Sequence, residues 1–485
     1  MTTGLLLAAI GVAAPTLPAD TIPTSPPPVG RDAVEALEFP ELVFEPPVAT
    51  ERELSGVPVY HLHDATLPLV DLYVYVHGGA AHFPRENLAV LTALPSLLRH
   101  GGTAALPPDL LNREIDLLAL QLSFGSGGSS TFASLNSLTH TFDAGLELFG
   151  EMLVDPGFHP EALEVWTGQE RERIRRREDD PLGLAISEFN RILFGDHPVG
   201  WVLSDEDLGE DRLSEAEARR LHAQLYCRDR LVVGISGDLE WAEAEPRLER
   251  FLERWPACED PLAAPPLPKL RQAGGLFILA KDLEQSTVVM AQPGGIRQED
   301  SEEYFASRIA NHILGAGGFG SRIMARLRTE EGLAYSASSL WTDPRRHEGI
   351  VGAVASTRAD QTLETTRLLL EVIKEFQETP PPAEEVEGAV QEIVNGYVFA
   401  FASPSQIVSR RMSHRILELP GNWLERYLDG VGGVTPEGVH EVVSRHLDPA
   451  GMTILLVGDP ERFDSGIEAF SPIYRLFPDG SYEPW

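Results

Sequence analysis

Two side chains seven residues apart could share one task. Arg328 and Tyr335 follow the glycine-rich run Leu314-Gly315-Ala316-Gly317-Gly318-Phe319-Gly320-Ser321. A guanidinium and a phenol brought together can offer fixed donors to one carbonyl oxygen, the arrangement that stabilises developing charge in acyl transfer. The glycines are poor helix-interior residues, Ser321 can cap, and Ile323 and Leu327 fall on one helical face. Gly332 suits a left-handed helix stop, so the segment predicts a helix ending near Arg328 and a strand from Leu333 towards Ser339. Taken singly, an Arg in a last helical turn complements the helix dipole and a strand Tyr packs. The glycines raise phosphate binding as a rival chemistry. No Lys-Ser or Lys-Thr follows them, however, and Ile309 to Leu314 reads as the end of a helix begun near Glu302, where a dinucleotide site needs a strand.

The elements that must position the pair repeat along the chain. Pro68 to Gly79 alternates apolar and polar residues as a half-buried strand, followed by a helix from Asn87 to Arg99 that ends at Gly101-Gly102-Thr103. Thr287 to Ala291 and Glu302 to Leu314 repeat that strand and helix. A second pair of strands ends in Gly-Asp, at Leu231 to Asp238 and at Ile454 to Asp459, each followed by a helix (Ala242 to Trp255, and Phe463 to Phe470). This long duplication predicts an α+β chain of two homologous domains, each a mixed, mostly antiparallel sheet with helices packed on one face. The domains are read as 43–255 and 275–485, joined by the proline-rich linker 256–274 with little to bury.

Taken together, these segments resemble the insulinase/pitrilysin-type (inverzincin) zinc metallopeptidases. In that family a first-half H-x-x-E-H helix binds zinc, and an Arg and a Tyr from a second half reach the substrate carbonyl. Counting back from Thr103, the motif positions are held here by Ala93, Ser96 and Leu97, which offer neither metal ligands nor a general base. Pro95 should kink or shorten the helix. The third ligand position falls on Arg173, with Glu172 one residue away, and Arg171 to Asp180 otherwise reads as a solvated helix face with i,i+4 pairs. Phe194-Gly195-Asp196-His197-Pro198 resembles the family's Phe-Gly-x-His-Pro loop, with His197 as scaffold.

The resemblance implies a non-catalytic subunit of a zinc metallopeptidase. Arg328 and Tyr335 would hold a peptide substrate's carbonyl in trans. Zinc would reside in a separate H-x-x-E-H-bearing partner chain, making a heterodimer, and this chain would bind none. It also implies that Thr131 to Thr141 belongs to the edge strand lining the peptide chamber and keeps a binding role. Asn395, Tyr397, Phe399 and Phe401, in a long helix-like segment, read as core or chamber wall and not as catalytic. The alternative is a structural or peptide-binding scaffold with no part in proteolysis. An autonomous hydrolase with a different site ranks last.

Composition narrows the partners. Acidic residues number 74 against 39 basic, a net charge of −35, which disfavours nucleic acid or an anionic membrane and favours a cationic peptide. Cys227 and Cys258 are too few for a disulfide framework, and their spacing leaves open whether they meet. His61 and His63 would share a strand face, but no third ligand accompanies them and they read as surface histidines. Ser126 to Ser130 lacks the strand-Ser-helix setting of a nucleophile elbow. Gly4 to Ala14 has the length of a signal-peptide h-region without a positive n-region, too short to span a bilayer. The expectation is a signal peptide over 1–19, a disordered tether over 20–42, and export to a periplasmic or extracellular space, with the cytoplasm as alternative.

Overall fold

The computed structural model describes residues 47–271 and 273–485, so the expected signal peptide and tether lie outside the described residues. Two sheets carry the chain. The first orders its strands β1-β2-β6-β3-β5-β4. These are β1 (Thr50–Leu54), β2 (Val57–His63), β3 (Leu69–His77), β4 (Gln121–Ser126), β5 (Ser130–Leu138) and β6 (Leu231–Gly237). The second orders β13-β12-β7-β11-β8-β10-β9, from β7 (Gly275–Ala280), β8 (Gln285–Pro293), β9 (Ala334–Trp341), β10 (Ile350–Arg358), β11 (Thr453–Gly458), β12 (Ile473–Leu476) and β13 (Tyr482–Pro484). In the first sheet β2 and β6 run parallel and β3, β5 and β4 continue antiparallel. In the second, β7 and β11 run parallel and β8, β10 and β9 continue antiparallel. The repeated sequence pattern thus becomes a repeated pairing pattern, two mixed and mostly antiparallel sheets.

Alternation on β3 sends Val70, Leu72, Val74 and Val76 into a core roofed by the helices Leu88–His100, Phe142–Val154 and Trp241–Glu253. Glu302–Asn311, Thr362–Glu378 and Pro436–His446 do the same for the second sheet. The opposite faces are covered by exchange. Helix Pro181–Phe194 buries Leu184, Ala185, Phe189, Ile192, Leu193 and Phe194 against Phe277, Leu279, Val289, Ala291, Leu455 and Val457 of the second sheet. Helix Pro404–Ile416 lies in return on the first sheet, where a Cβ on Gly234 would stand 2.3 Å from Met412 Sδ and 2.4 Å from Val408 Cγ1. Each sheet therefore carries helices on both faces, one of them lent by the other half.

Several expectations change. Helix Leu88–His100 is not shortened by Pro95; the lost donor leaves the Leu91 carbonyl, and the Ser126 hydroxyl stands 3.5 Å from it. Only the short turn Ile467–Phe470 forms where a helix from Phe463 was expected. Gly466 (φ 99°) breaks the run, and Asp464 instead caps Thr362–Glu378 by accepting from the Leu363 and Glu364 N–H groups. Cys227 and Cys258 form a disulfide. The linker, though irregular, is pinned to the first half: His82 Nδ1 lies 2.8 Å from the Ala263 carbonyl and His197 Nε2 3.0 Å from that of Pro266. Among the described residues no helix is long and apolar enough to cross a membrane.

The exchange makes two predictions. Phe189 is 1% exposed, so Phe189→Ala should destabilise by about 3–5 kcal/mol. Calorimetry should still record one transition, because the helix belongs to one half and its contacts to the other. Two separate transitions, with only one shifted, would contradict the exchange. His414, on the returning helix, has its pKa pushed down to about 4 by burial and by Arg410 and Arg411. It is neutral when folded and takes up a proton near pH 6.5 when unfolded, so stability should fall by on the order of 1–2 kcal/mol as pH drops from about 6.5 towards 4. A His414→Gln chain should lose that part of the pH dependence in urea titrations.

Candidate functional site

The glycine-rich segment folds as a helix interrupted twice. Glu302–Asn311 runs into a π turn over His312–Ala316, the glycines turn the chain, Arg322–Met324 is helical, and a second π turn spans Ala325–Glu330. Among the described residues these are the only π turns, and such turns recur where a helix must present a functional side chain. Gly315 is obligatory, because a Cβ there would meet the Ser339 backbone nitrogen of β9 at 2.1 Å. Gly332 (φ 65°) ends the segment as expected, with Leu333 N–H donating to the Leu327 carbonyl at 2.8 Å. Ser321 does not cap. Its hydroxyl donates to the Gly318 carbonyl at 2.7 Å and closes the turn instead.

Tyr335 sits on β9, the edge strand of the second sheet. Ser336 pairs with Ser356 and Ala334 with Thr357, leaving Tyr335 as the extra residue of a β-bulge. A bulge re-aims a side chain, and Tyr335 is 82% exposed. Arg328 Nη1 donates to the Tyr335 carbonyl at 3.3 Å. Its guanidinium carbon lies 5.6 Å from the Tyr335 ring centroid and 4.8 Å from that of Phe319. Arg328 thus stands between two exposed rings. Among the described residues no carboxylate pairs with it, whereas Arg322 is held by Glu385 and Arg326 by Glu330. In so acidic a chain an unpaired arginine leaves donors for a ligand. Sequence reasoning passed over Phe319; its signal was an aromatic flanked by glycine on both sides, at a turn apex with nothing to bury it.

The degenerate motif positions lie elsewhere. Ala93 and Leu97 are buried in the first-half core and Ser96 is half-buried beside them. Arg173 faces solvent from helix Pro160–Arg175, paired with the buried Glu170, and Glu172 pairs with Arg175 and Arg176. Apolar packing and a cation do not fit zinc. Among the described residues no three His, Cys, Asp or Glu side chains gather as a metal site. No hydrogen bond, ion pair or ring contact joins these positions to Arg328 or Tyr335.

Other expectations are corrected. His61 is buried, with Nε2 2.9 Å from the Leu239 carbonyl and its ring edge-on to Trp241, and only His63 is at the surface. Ser130–Leu138 is paired on both sides, so it offers no free edge; in that sheet the edges are β1 and β4. The long helix-like segment splits into Ala383–Gly396, which holds Asn395, and the turn Tyr397–Phe401. There the Arg410 guanidinium packs on the Tyr397 and Phe401 rings while Phe399 is exposed.

The family profile described as peptidase M16 inactive domain matches residues 212–393. A Helicobacter pylori protein named non-peptidase homolog YmxG is 22% identical over 418 residues, covering 85% of this chain and 95% of its own. A Pseudomonas fluorescens peptidase M16 inactive domain superposes with a TM-score of 0.75 at 24% identity, over 85% of this chain and 98% of that one. The periplasmic protease PqqL of Escherichia coli superposes with a TM-score of 0.72 at 14% identity, over 87% of this chain and 48% of that one. Residues 212–393 thus match the M16 inactive-domain profile, and the chain as a whole is similar to insulinase/pitrilysin-type, or M16, proteins while lacking an H-x-x-E-H motif.

Proposed function

We propose that this chain is the non-catalytic subunit of an M16 metallopeptidase and that Arg328 and Tyr335 bind the carbonyl of a peptide held in a chamber shared with a partner chain. The observation that carries this is Arg328, exposed, without a carboxylate partner, and set between Phe319 and Tyr335 beside the open edge of β9. An extended peptide can hydrogen-bond along such an edge, and the guanidinium and phenol then donate to the oxygen on which charge develops. Zinc and the general base belong to the H-x-x-E-H-bearing partner, in a heterodimer. Two comparisons support the division. The matching profile is that of an inactive domain, and this chain covers 48% of the E. coli protease, as one half of a longer whole. Export to an oxidising space such as the periplasm is supported by the Cys227–Cys258 disulfide.

A scaffold role without proteolysis is the second reading, favoured by the name of the H. pylori relative. Two measurements divide them. Purified alone, the chain should contain no stoichiometric zinc by elemental analysis and should cleave no peptide; one tightly held zinc per chain would overturn the assignment. In the complex reconstituted with its partner, Tyr335→Phe should slow cleavage by roughly 10²–10³-fold, the usual cost of one oxyanion donor. Arg328→Ala should cost at least as much, since a charged donor is lost. Assembly should survive both. Rates within a few-fold of wild type would favour the scaffold.

A further inference from the structure

The glycine turn is flanked by two polar side-chain pairs whose acidic partners come from one helix. His312 Nε2 stands 2.7 Å from Glu392 Oε2, where the first π turn begins. Arg322, after the glycines, donates through Nε to Glu385 Oε1 at 2.9 Å and through Nη2 to Oε2 at 2.5 Å. Glu385 and Glu392 lie seven residues apart in Ala383–Gly396, about two turns, and so share a face. At the Arg322 end the guanidinium also rests 4.7 Å from the ring centroid of the buried Phe376. At the other end the Gly317 N–H donates to the His312 carbonyl at 2.9 Å, and a Cβ on Gly317 would meet the His312 ring at 2.9 Å. The ring therefore packs directly under the turn.

Gly315 packs on β9 and the Ser321 hydroxyl closes the turn on the Gly318 carbonyl, but the stretch between them is held by little side-chain packing. Gly318 and Gly320 have open space around them and Phe319 is 69% exposed, so the tip of the turn has little apolar burial and few β-carbons to restrict it. We propose that His312 and Glu392 are positioning residues. Their hydrogen-bonded contact holds the turn 315–320 against Ala383–Gly396, and thereby fixes Phe319 and the face of Arg328 on which it stacks. This rests on the reading of Arg328 and Tyr335 as carbonyl-binding groups. An exposed pair of this kind contributes little to global stability, but it can decide a local opening.

The test is Glu392→Ala, with Glu392→Asp as the rescue. By hydrogen exchange of the full chain, Glu392→Ala should speed exchange of the amides from 315 to 320 by about 3- to 10-fold while exchange across β3 and β8 stays unchanged. In the reconstituted complex it should lower kcat with KM within about twofold of wild type, because the donors are displaced in the transition state and the peptide still binds along the strand. Glu392→Asp should recover most of both. Unchanged exchange overturns the proposal. Faster exchange with undiminished kcat, where Tyr335→Phe does slow cleavage, overturns the positioning role. If Tyr335→Phe is also without effect, the carbonyl-binding reading falls and the positioning role falls with it, so the two failures are told apart.

Discussion

The exchange of helices between the halves is the constraint on which the rest of the molecule depends. Helix Pro181–Phe194 places six buried apolar side chains on the sheet of the second half. At about 1.5–3 kcal/mol for each large one, their burial is on the order of 10 kcal/mol, comparable with the whole stability of an ordinary domain. Coupling of that size does not need the linker. The disulfide and the histidine contacts at Ala263 and Pro266 guide the connection, while the helices hold the halves together. The returning helix explains Gly234, because β6 and Pro404–Ile416 approach too closely for a side chain to stand between them.

Within that frame the two halves have diverged in what they ask of equivalent elements. In the first, the helix Leu88–His100 is core: Ala93 and Leu97 are packed among leucines and valines, where a metal ligand would need a partner or an ion to offset its burial. In the second, the matching region has avoided becoming a plain helix. Two π turns, four glycines and a bulge carry cost in local stability and leave an arginine and two rings at the surface. Stability concentrated in the exchanged helices lets this segment remain irregular.

Much of the fold was legible because burial leaves a period. The alternation of β3, the apolar runs of β6 and β11 and the helix Glu302–Asn311 could be read from residue types, and so could the duplication. The helix exchange could not. An amphipathic pattern says that one face is apolar and does not say which sheet will cover it. Tyr335 was readable as a strand residue, but its exposure comes from a one-residue register shift against β10, which depends on the partner strand. The same limit misplaced the edge in the first sheet, because strand order is a property of the pairing. His61 looked like a surface residue until the Leu239 carbonyl and Trp241 enclosed it from a distant part of the chain.

The central claim is that Arg328 and Tyr335 recognise charge on a carbonyl oxygen, which differs from merely binding peptide. Differential binding tests it most directly: titration of the reconstituted complex with a tetrahedral phosphonate analogue of a cleaved peptide and with the uncleaved peptide itself, using wild-type and Arg328→Ala chains. Arg328→Ala should weaken the analogue by roughly 10²-fold or more and the peptide by only a few-fold, since the interaction is made to developing charge. Equal weakening of both, or of neither, would contradict the account.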